Sequence, residues 1–315
     1  MVKILALHDY LTKFIMDAEE SGDFTEASYF SIDVHPQKAD RKAIDWIFLV
    51  DTINFSFWSD DKTKFQVTFH GKKYTGYLAA CACVNRALES NISITSANYL
   101  EKVTCDDMRE IFKTDDGSEI PLLKERVKVM NEAGRVLKEK FDGMFYNCVL
   151  KCGKSAIKLV EDVVEHFESF RDFAVYKGQE VSFLKRAQIL ASDIYLCMHR
   201  IDDTCNFHDI SSLTMFADYR VPQVLSFLGV LKYSPKLMKT LRANTLLENG
   251  SEHEVELRAF SIKACDVCRS ELKEIYHSLT QNAMYVDNFL WLYRRKNAAQ
   301  IENVVPFHRT RCIYY

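Results

Sequence analysis

The chain has 315 residues, of which 48% are hydrophobic and 27% charged, so it can fold as a globular protein with a sizeable core. Its net charge of −3 disfavours a broad nucleic-acid-binding surface, which requires an excess of lysine and arginine. The sequence shows neither a run of about eighteen apolar residues nor a signal-peptide pattern, so we expect no membrane partner.

The N-terminal part is predicted to combine a helix with a small β element. Apolar side chains recur at helical spacing in residues 1–30. Residues 45–76 are predicted to contain an antiparallel meander of two or three strands, because side chains alternate over Ile53–Trp58 and again over Phe65–Phe69.

Residues 77–315 are predicted to form a helical body. The low counts of glycine (10) and proline (5) favour long helices and few loops. We therefore expect one compact unit over residues 1–315, of the α+β class and predominantly α-helical. Apolar spacing predicts its main helices over Leu122–Phe141, Ser155–Phe167, Phe183–Met198, Pro222–Leu231 and Glu254–Leu279.

Asp218 is the first candidate for chemistry. It follows an apolar run and precedes Pro222, a residue that suits the first turn of a helix. One interpretation is that Asp218 caps this helix, as aspartate often does. The other is a catalytic carboxylate at the mouth of a pocket. The residue pattern leaves both interpretations open.

Two cations, Lys185 and Arg186, begin the apolar helix predicted from Phe183. Positive charge is unfavourable near a helix N-terminus, so a nearby anion would account for the pair. A solvated face with ordinary ion pairs is the alternative.

Aromatic and polar side chains are interleaved over Asp51–Trp58. Such a segment can stack a heterocycle on its rings and bond the edges of that heterocycle through Asp51 and Asn54. In a strand, Phe55 and Phe57 would share one face and Trp58 the other, so the three rings would not stack on one base. The alternative is a core-facing strand with Asp51 in a turn.

We expect no cofactor and no metal. Cys265 and Cys268 form a CxxC pair, but a second ligand pair at zinc-finger distance is missing and the segment is predicted to lie in mid-helix. The ten cysteines are expected to be reduced thiols, which fits a cytoplasmic location, with a nuclear one also open. Phosphate-loop and dinucleotide-binding motifs are absent from the sequence.

Several long strings occur in an order that resembles the queuosine salvage protein family, the queuosine 5′-phosphate N-glycosylases. The resemblance runs from about Asp33 to the C-terminal tyrosines. The strings that carry it are Asp51–Trp58, Pro121–Leu123, Lys185–Gln188, Leu213–Gln223, Glu254–Ala259 and Asp287–Trp291.

This resemblance implies an enzyme that hydrolyses the N-glycosidic bond of queuosine 5′-monophosphate and releases queuine for re-use in transfer-RNA modification. It also implies a body like that of the helical DNA glycosylases, in which Lys185 and Asp218 fall on the catalytic lysine and aspartate positions. The arginines among the expected substrate-binding residues are, with Lys185, candidates for holding the 5′-phosphate. The expected substrate-binding residues are Asp51, Asn54, Phe55, Phe57, Trp58, Arg186, Tyr219, Arg220 and Arg311.

Two departures from these patterns bear on the substrate. The chain lacks the glycine-rich hairpin with which DNA glycosylases grip a phosphate backbone, so we expect no direct nucleic-acid partner. The first thirty residues do not resemble the usual N-terminus of the family. Two alternatives stay open: a queuine- or nucleotide-binding protein without turnover, and a glycosylase acting on nucleic acid.

Overall fold

A computed structural model describes residues 2–4, 8–21, 32–59, 65–275 and 282–315. Helices dominate these residues, which confirms the predominantly α-helical α+β class. The helices are α1 (His8–Glu20), α2 (Arg41–Thr52), α3 (Tyr77–Glu89), α4 (Ala97–Lys102), α5 (Cys105–Ile111), α6 (Leu123–Lys140), α7 (Tyr146–Lys151), α8 (Ala156–His166), α9 (Lys185–Met198), α10 (Val221–Phe227), α11 (Pro235–Arg242), α12 (Glu252–Ile275), α13 (Ala283–Lys296) and α14 (Ala298–Val304).

The strands form three separate antiparallel pairs in the described ranges. β2 and β3 make the predicted hairpin, and β4 and β5 make a second hairpin immediately before α9. β1 pairs with β6, so two segments that are far apart in the sequence are joined by backbone hydrogen bonds. The strands are β1 (Val2–Ile4), β2 (Gln66–Phe69), β3 (Lys72–Thr75), β4 (Phe173–Tyr176), β5 (Gln179–Ser182) and β6 (Leu231–Tyr233).

The helix predicted over residues 1–30 is confirmed over His8–Glu20 alone. Residues 2–4 are a strand, because their backbone pairs with β6 rather than with the following turn. The rest of the predicted helix, at residues 5–7 and 22–30, lies outside the described residues.

The strand predicted over Ile53–Trp58 is wrong. Residues 41–52 form α2, which begins where the Asp40 carboxylate accepts a hydrogen bond from the Ala43 N–H at 3.1 Å. The chain then continues without regular structure to Ser59. Every side chain from Ile53 to Trp58 is buried, so the apparent alternation did not mark an exposed and a buried face. The β element expected over 45–76 therefore reduces to the β2–β3 hairpin.

Packing between α2 and α9 positions the two segments that matter for the site. α9 is buried on almost every side, as is typical of a helix inside a protein. It begins at Lys185 because Leu184 adopts a left-handed backbone (φ 51°) and the Lys185 N–H donates to Asp172 at 3.1 Å. The buried apolar side chains from Ile15 to Val305 form one contiguous cluster around these helices.

A buried network around Arg258 fixes the C-terminal segment to the body. The Arg258 guanidinium bonds to Asp172 at 2.5 and 2.9 Å. It also lies 3.4 Å from Glu254, one helical turn earlier on α12. The guanidinium carbon is 4.0 Å from the ring centre of Phe183 and 4.1 Å from that of Tyr315. The C-terminal segment is thus folded back onto the protein.

All ten cysteines are free thiols, and Cys265 and Cys268 are buried within α12, where mid-helix positions were expected. Among the described residues, no group of three or more His, Cys, Asp or Glu side chains is arranged to hold a metal ion. Within the same ranges, no helix has the length and apolar character needed to cross a bilayer.

Candidate active site

A cavity of about 480 Å³ lies between five parts of the chain. These are the loop 54–59 after α2, the beginning of α9, the loop 216–220 before α10, one face of α13 and the C-terminal segment from Pro306. The volume suits a small organic ligand. Predicted site residues that line the cavity are Asn54, Phe55, Phe57, Trp58, Lys185, Asp218, Tyr219 and Arg220.

Asp218 lines this cavity, and its carboxylate also bonds to the backbone where α10 begins, although the N-cap residue of that helix is Arg220. Its Oδ1 accepts hydrogen bonds from the backbone N–H groups of Arg220 (2.7 Å) and Val221 (2.9 Å). These bonds fix the carboxylate relative to the backbone, while Pro222 occupies the first turn as predicted. Oδ2 has no hydrogen-bond partner among the residues that the structure describes, so it is available to a ligand.

Lys185 brings a buried ammonium to the same cavity. Its side chain is 6% exposed, and Nζ donates to the carbonyl oxygen of Asn54 at 3.2 Å. Burial lowers the pKa of Lys185, and the charge of Asp218 acts in the opposite direction. The hydrogen bond with Asn54 shows that Lys185 also supports the loop that follows α2.

Asp287 is a second carboxyl group in the cavity, and the sequence analysis did not assign it to the site. It lies on α13, and its Oδ1 accepts a hydrogen bond from the Phe216 N–H at 3.0 Å. Burial raises the pKa of Asp287 well above its ordinary value, and the nearby charge of Asp218 adds to this effect. The sequence did carry a signal for Asp287, because the string Asp287–Trp291 formed part of the family resemblance.

Aromatic rings form much of the cavity wall. Phe55 and Phe57 both lie against the guanidinium of Arg126, at 4.3 and 4.7 Å from their ring centres. The sequence predicted that Phe55 and Phe57 would share one face. Both rings do contact the same guanidinium, although the segment is not a strand. Tyr77 meets Trp291 edge to face at 6.0 Å, which adds two rings that the sequence analysis did not assign.

Several arginines also line the cavity. Arg220 and Arg294 both contact Glu302, and Arg220 lies 3.3 Å from it. Burial lowers the pKa of Arg294 to about 10, with Arg220 contributing through like charge. Arg295 lies 5.1 Å from the ring centre of Trp291. Arg220 was a predicted substrate-binding residue, whereas Arg294 and Arg295 were not. The Arg-Arg-Lys run at the end of α13 was the sequence signal that could have indicated them.

Three predicted substrate-binding residues do not line the cavity. Asp51 is buried behind it, where its Oδ1 accepts a bond from the Asn54 amide at 3.2 Å. The Arg186 guanidinium is occupied by the backbone carbonyls of Thr52 and Ser169.

Arg311 is the third of these residues. Its guanidinium lies 3.4 Å from the ring centre of Trp58 and donates to the carbonyl oxygen of that residue at 2.7 Å. Arg311 thus packs behind a wall residue and does not reach the cavity itself.

These features define the class of site: a partly open cavity with aromatic walls, a fixed carboxylate, a second carboxyl group and several cations, which can accept a small anionic molecule. The class is compatible with hydrolysis of a nucleotide and disfavours an extended polymer surface.

Comparisons with known proteins agree with this class. A sequence model of the queuosine salvage protein family matches residues 34–315. The chain is 46% identical over 289 residues to the queuosine 5′-phosphate N-glycosylase/hydrolase of Mus musculus, covering 90% of this chain and 85% of that protein. It is 46% identical over 290 residues to the protein of the same name from Bos taurus, covering 90% and 84%. A third such protein, from Nematostella vectensis, is 35% identical over 318 residues, covering 96% and 91%.

The chain therefore belongs to the queuosine salvage protein family, which confirms the resemblance found in the sequence.

Proposed function

We propose that this protein hydrolyses the N-glycosidic bond of queuosine 5′-monophosphate and releases the base queuine. The observation that carries the proposal is the Asp218 carboxylate, which lines an aromatic cavity in a chain whose relatives are named for this reaction. The reaction consumes one water molecule and yields queuine and ribose 5-phosphate.

The aromatic wall supports binding of a planar base. Phe57, Trp58, Tyr77 and Trp291 all contribute to the lining, and a base can stack on any ring that faces it. The side-chain amide of Asn54 lies at the same wall and can bond the edge of the base.

The arginines support binding of the 5′-phosphate. α13 places Asp287, Trp291 and Arg295 four residues apart, so these side chains lie on one face of the helix, in successive turns. Arg295 makes no hydrogen bond to the residues that the structure describes, so its five donors are available to phosphate oxygens. Arg220 and Arg294 add further positive charge to the cavity.

Asp218 supplies the charge that the reaction requires. Cleavage of the ribosyl–base bond develops positive charge on the sugar, and a fixed carboxylate stabilises that charge. Because backbone N–H groups hold Oδ1, Oδ2 can face C1′ without reorganisation. Lys185 acts as a positioning residue: it holds the Asn54 loop and interacts electrostatically with Asp218.

Three further predictions accompany this proposal: a body like that of the helical DNA glycosylases, the lack of a direct nucleic-acid partner, and a cytoplasmic or nuclear location. The net charge of −3 favours a free nucleotide over a duplex.

The proposal is tested by incubating the protein separately with queuosine 5′-monophosphate, queuosine and a queuosine-containing RNA, and measuring free queuine by mass. Release from the monophosphate alone is the expected result. Binding without release would indicate a non-catalytic binding protein, and release from the RNA would indicate a nucleic-acid glycosylase.

A further inference from the structure

The base of the proposed substrate is a poor leaving group. In a 7-deazaguanine, position 7 is carbon, so the ring nitrogen whose protonation helps ordinary purines to depart is missing. When the bond between C1′ and the base breaks, both electrons remain on the base. A group that donates a proton to the base would therefore lower the barrier, as general acids do by roughly 10²–10⁴-fold.

Asp287 has the geometry of such a group. It is 6% exposed and lines the cavity. Its Oδ1 is fixed by the Phe216 N–H, which belongs to the same loop as Asp218. Its Oδ2 has no protein partner in the described part of the chain. One helical turn further along α13, Trp291 contributes to the aromatic wall, so Asp287 lies beside the space proposed for the base.

The surrounding charges favour the neutral form of Asp287. Asp218 and Asp287 share the cavity with a single buried ammonium, that of Lys185, and two close carboxylates do not both ionise readily there. Asp218 accepts two hydrogen bonds from backbone N–H groups, whereas Asp287 accepts one. Burial and the charge of Asp218 raise the pKa of Asp287. Environments that differ in this way separate an acid from a base.

We propose that Asp287 is the general acid that protonates the departing base, an inference that rests on the function proposed above. The bond between C1′ and the base breaks, its electron pair goes to the base, and the Asp287 proton goes to one of the ring nitrogens over which the negative charge spreads. Water adds its oxygen to C1′ and loses one proton to Asp218. That proton returns to Asp287 before the next turnover.

The titratable groups that face Asp287 come from three elements. They are Asp218 in the loop before α10, Lys185 at the start of α9 and Cys265 on α12. Burial raises the pKa of the Cys265 thiol well above its ordinary value, so the thiol stays neutral over the range of a pH–rate profile. Of these three groups, Lys185 is the one whose titration could mimic that of Asp287.

The test is Asp287→Asn, which keeps an oxygen for the Phe216 N–H but has no acidic proton. With queuosine 5′-monophosphate, kcat is expected to fall at least 100-fold, while the Kd for free queuine stays within about threefold of wild type. Asp106→Asn, an exposed aspartate far from the cavity lining, is the matched control and is expected to retain wild-type kcat. A Kd for queuine that rises with kcat retained would assign Asp287 to base recognition and overturn the proposal.

If Asp287→Asn does not fold, a second substrate tests the proposal on the wild-type protein instead. 4-Nitrophenyl β-ribofuranoside 5-phosphate carries a leaving group that departs without a proton. For the wild-type protein, kcat with queuosine 5′-monophosphate is expected to fall at high pH as Asp287 ionises, and kcat with the nitrophenyl substrate is not. Titration of Lys185 would affect both substrates. Equal pH profiles, or wild-type kcat in Asp287→Asn, would overturn the assignment of Asp287.

The two proposals fail in different ways. If the wild-type protein releases no queuine from the monophosphate, both the proposed function and the proposed role of Asp287 are wrong. If the wild type releases queuine and Asp287→Asn does so at the same rate, the function stands and the role of Asp287 alone is overturned.

Discussion

The Asp218 carboxylate accepts a hydrogen bond from the backbone N–H of Val221 at 2.9 Å, so the candidate catalytic residue also binds the first residue of α10. The two interpretations of Asp218 that the sequence left open are therefore compatible. The backbone N–H groups of Arg220 and Val221 occupy Oδ1 and leave Oδ2 for the ligand. A carboxylate held in this way has a fixed orientation, which electrostatic stabilisation of a developing charge requires.

Asp218→Asn is expected to separate these two roles. Asparagine retains an oxygen that can accept from Val221, so the melting temperature should change little. The negative charge is lost, so queuosine 5′-monophosphate should bind while queuine release falls at least 100-fold. Turnover within about tenfold of wild type, equivalent to ~1.4 kcal/mol of barrier, would remove Asp218 from the catalytic role. Asp218→Ala should in addition lose about 1 kcal/mol of stability, because the backbone N–H groups of Arg220 and Val221 lose their acceptor.

Much of the fold was predictable because helical periodicity is a local signal. The starts of the helices near Lys185 and Val221 were predicted to within two residues. The end of α10 was not, because the helix stops at Phe227 and the predicted end, Leu231, lies in β6. The long helix predicted over Glu254–Leu279 was confirmed as Glu252–Ile275, with the remaining positions outside the described residues.

The rest depended on contacts between distant parts of the chain. Local sequence cannot show that the carbonyl groups after α2 bond to Arg126 on α6 instead of to a neighbouring strand, and this is why Ile53–Trp58 was predicted as a strand. Nor can it show that Arg186 is occupied by backbone carbonyls whereas Arg295 faces the cavity. That the whole chain is one compact unit stays a prediction.

Arg126 should be important for both stability and binding. It is fully buried, bonds to the carbonyl oxygens of Ile53 and Phe55, and stacks against Phe55 and Phe57. Arg126→Leu would leave those carbonyls unpaired, so we expect a loss of at least ~2 kcal/mol in the free energy of unfolding, measured in urea. Because the same segment continues into the cavity wall from Asn54, the affinity for queuine should fall as well.

The comparison for this variant is Arg109→Leu, which removes an exposed arginine paired with Asp106 and Glu119. Its unfolding midpoint should stay close to that of wild type, because exposed ion pairs contribute little. Equal midpoints for the two variants would show that Arg126 does not hold the loop in place.

Arg295 should contribute to discrimination between nucleotide and nucleoside. Arg295→Met keeps a long apolar side chain against Trp291 but removes the charge and the donors. We expect kcat/KM for queuosine 5′-monophosphate to fall at least tenfold, with kcat/KM for queuosine unchanged. Arg311→Met is the control, since Arg311 lies outside the cavity lining; any effect of that change should be the same for both substrates. An equal loss for both substrates in Arg295→Met would exclude a phosphate-specific role.

Asp51 should make the stability of the protein depend on pH. Burial raises the pKa of Asp51 from 3.8 to about 7, and its Oδ2 has no hydrogen-bond partner in the described residues. Between about pH 4 and pH 7 the folded protein therefore holds a proton that the unfolded chain has released. Stability contributed in this way is present at low pH and is lost as pH rises towards the folded-state pKa.

Asp51→Asn mimics the neutral carboxyl group and should remove this dependence. From pH 5 to pH 8 the wild type should lose at least ~1.4 kcal/mol of unfolding free energy relative to the variant, the equivalent of one pKa unit. Buried histidines such as His35 and His308, whose pKa values are lowered to about 4 and about 3, act with the opposite sign but equally in both proteins, so they cancel in the difference. Urea unfolding at pH 5 and pH 8 measures the difference in unfolding free energy between wild type and Asp51→Asn. Asp106→Asn is the control at an exposed aspartate. A difference between wild type and Asp51→Asn that does not change with pH would mean that Asp51 is ionised in the folded protein throughout this range.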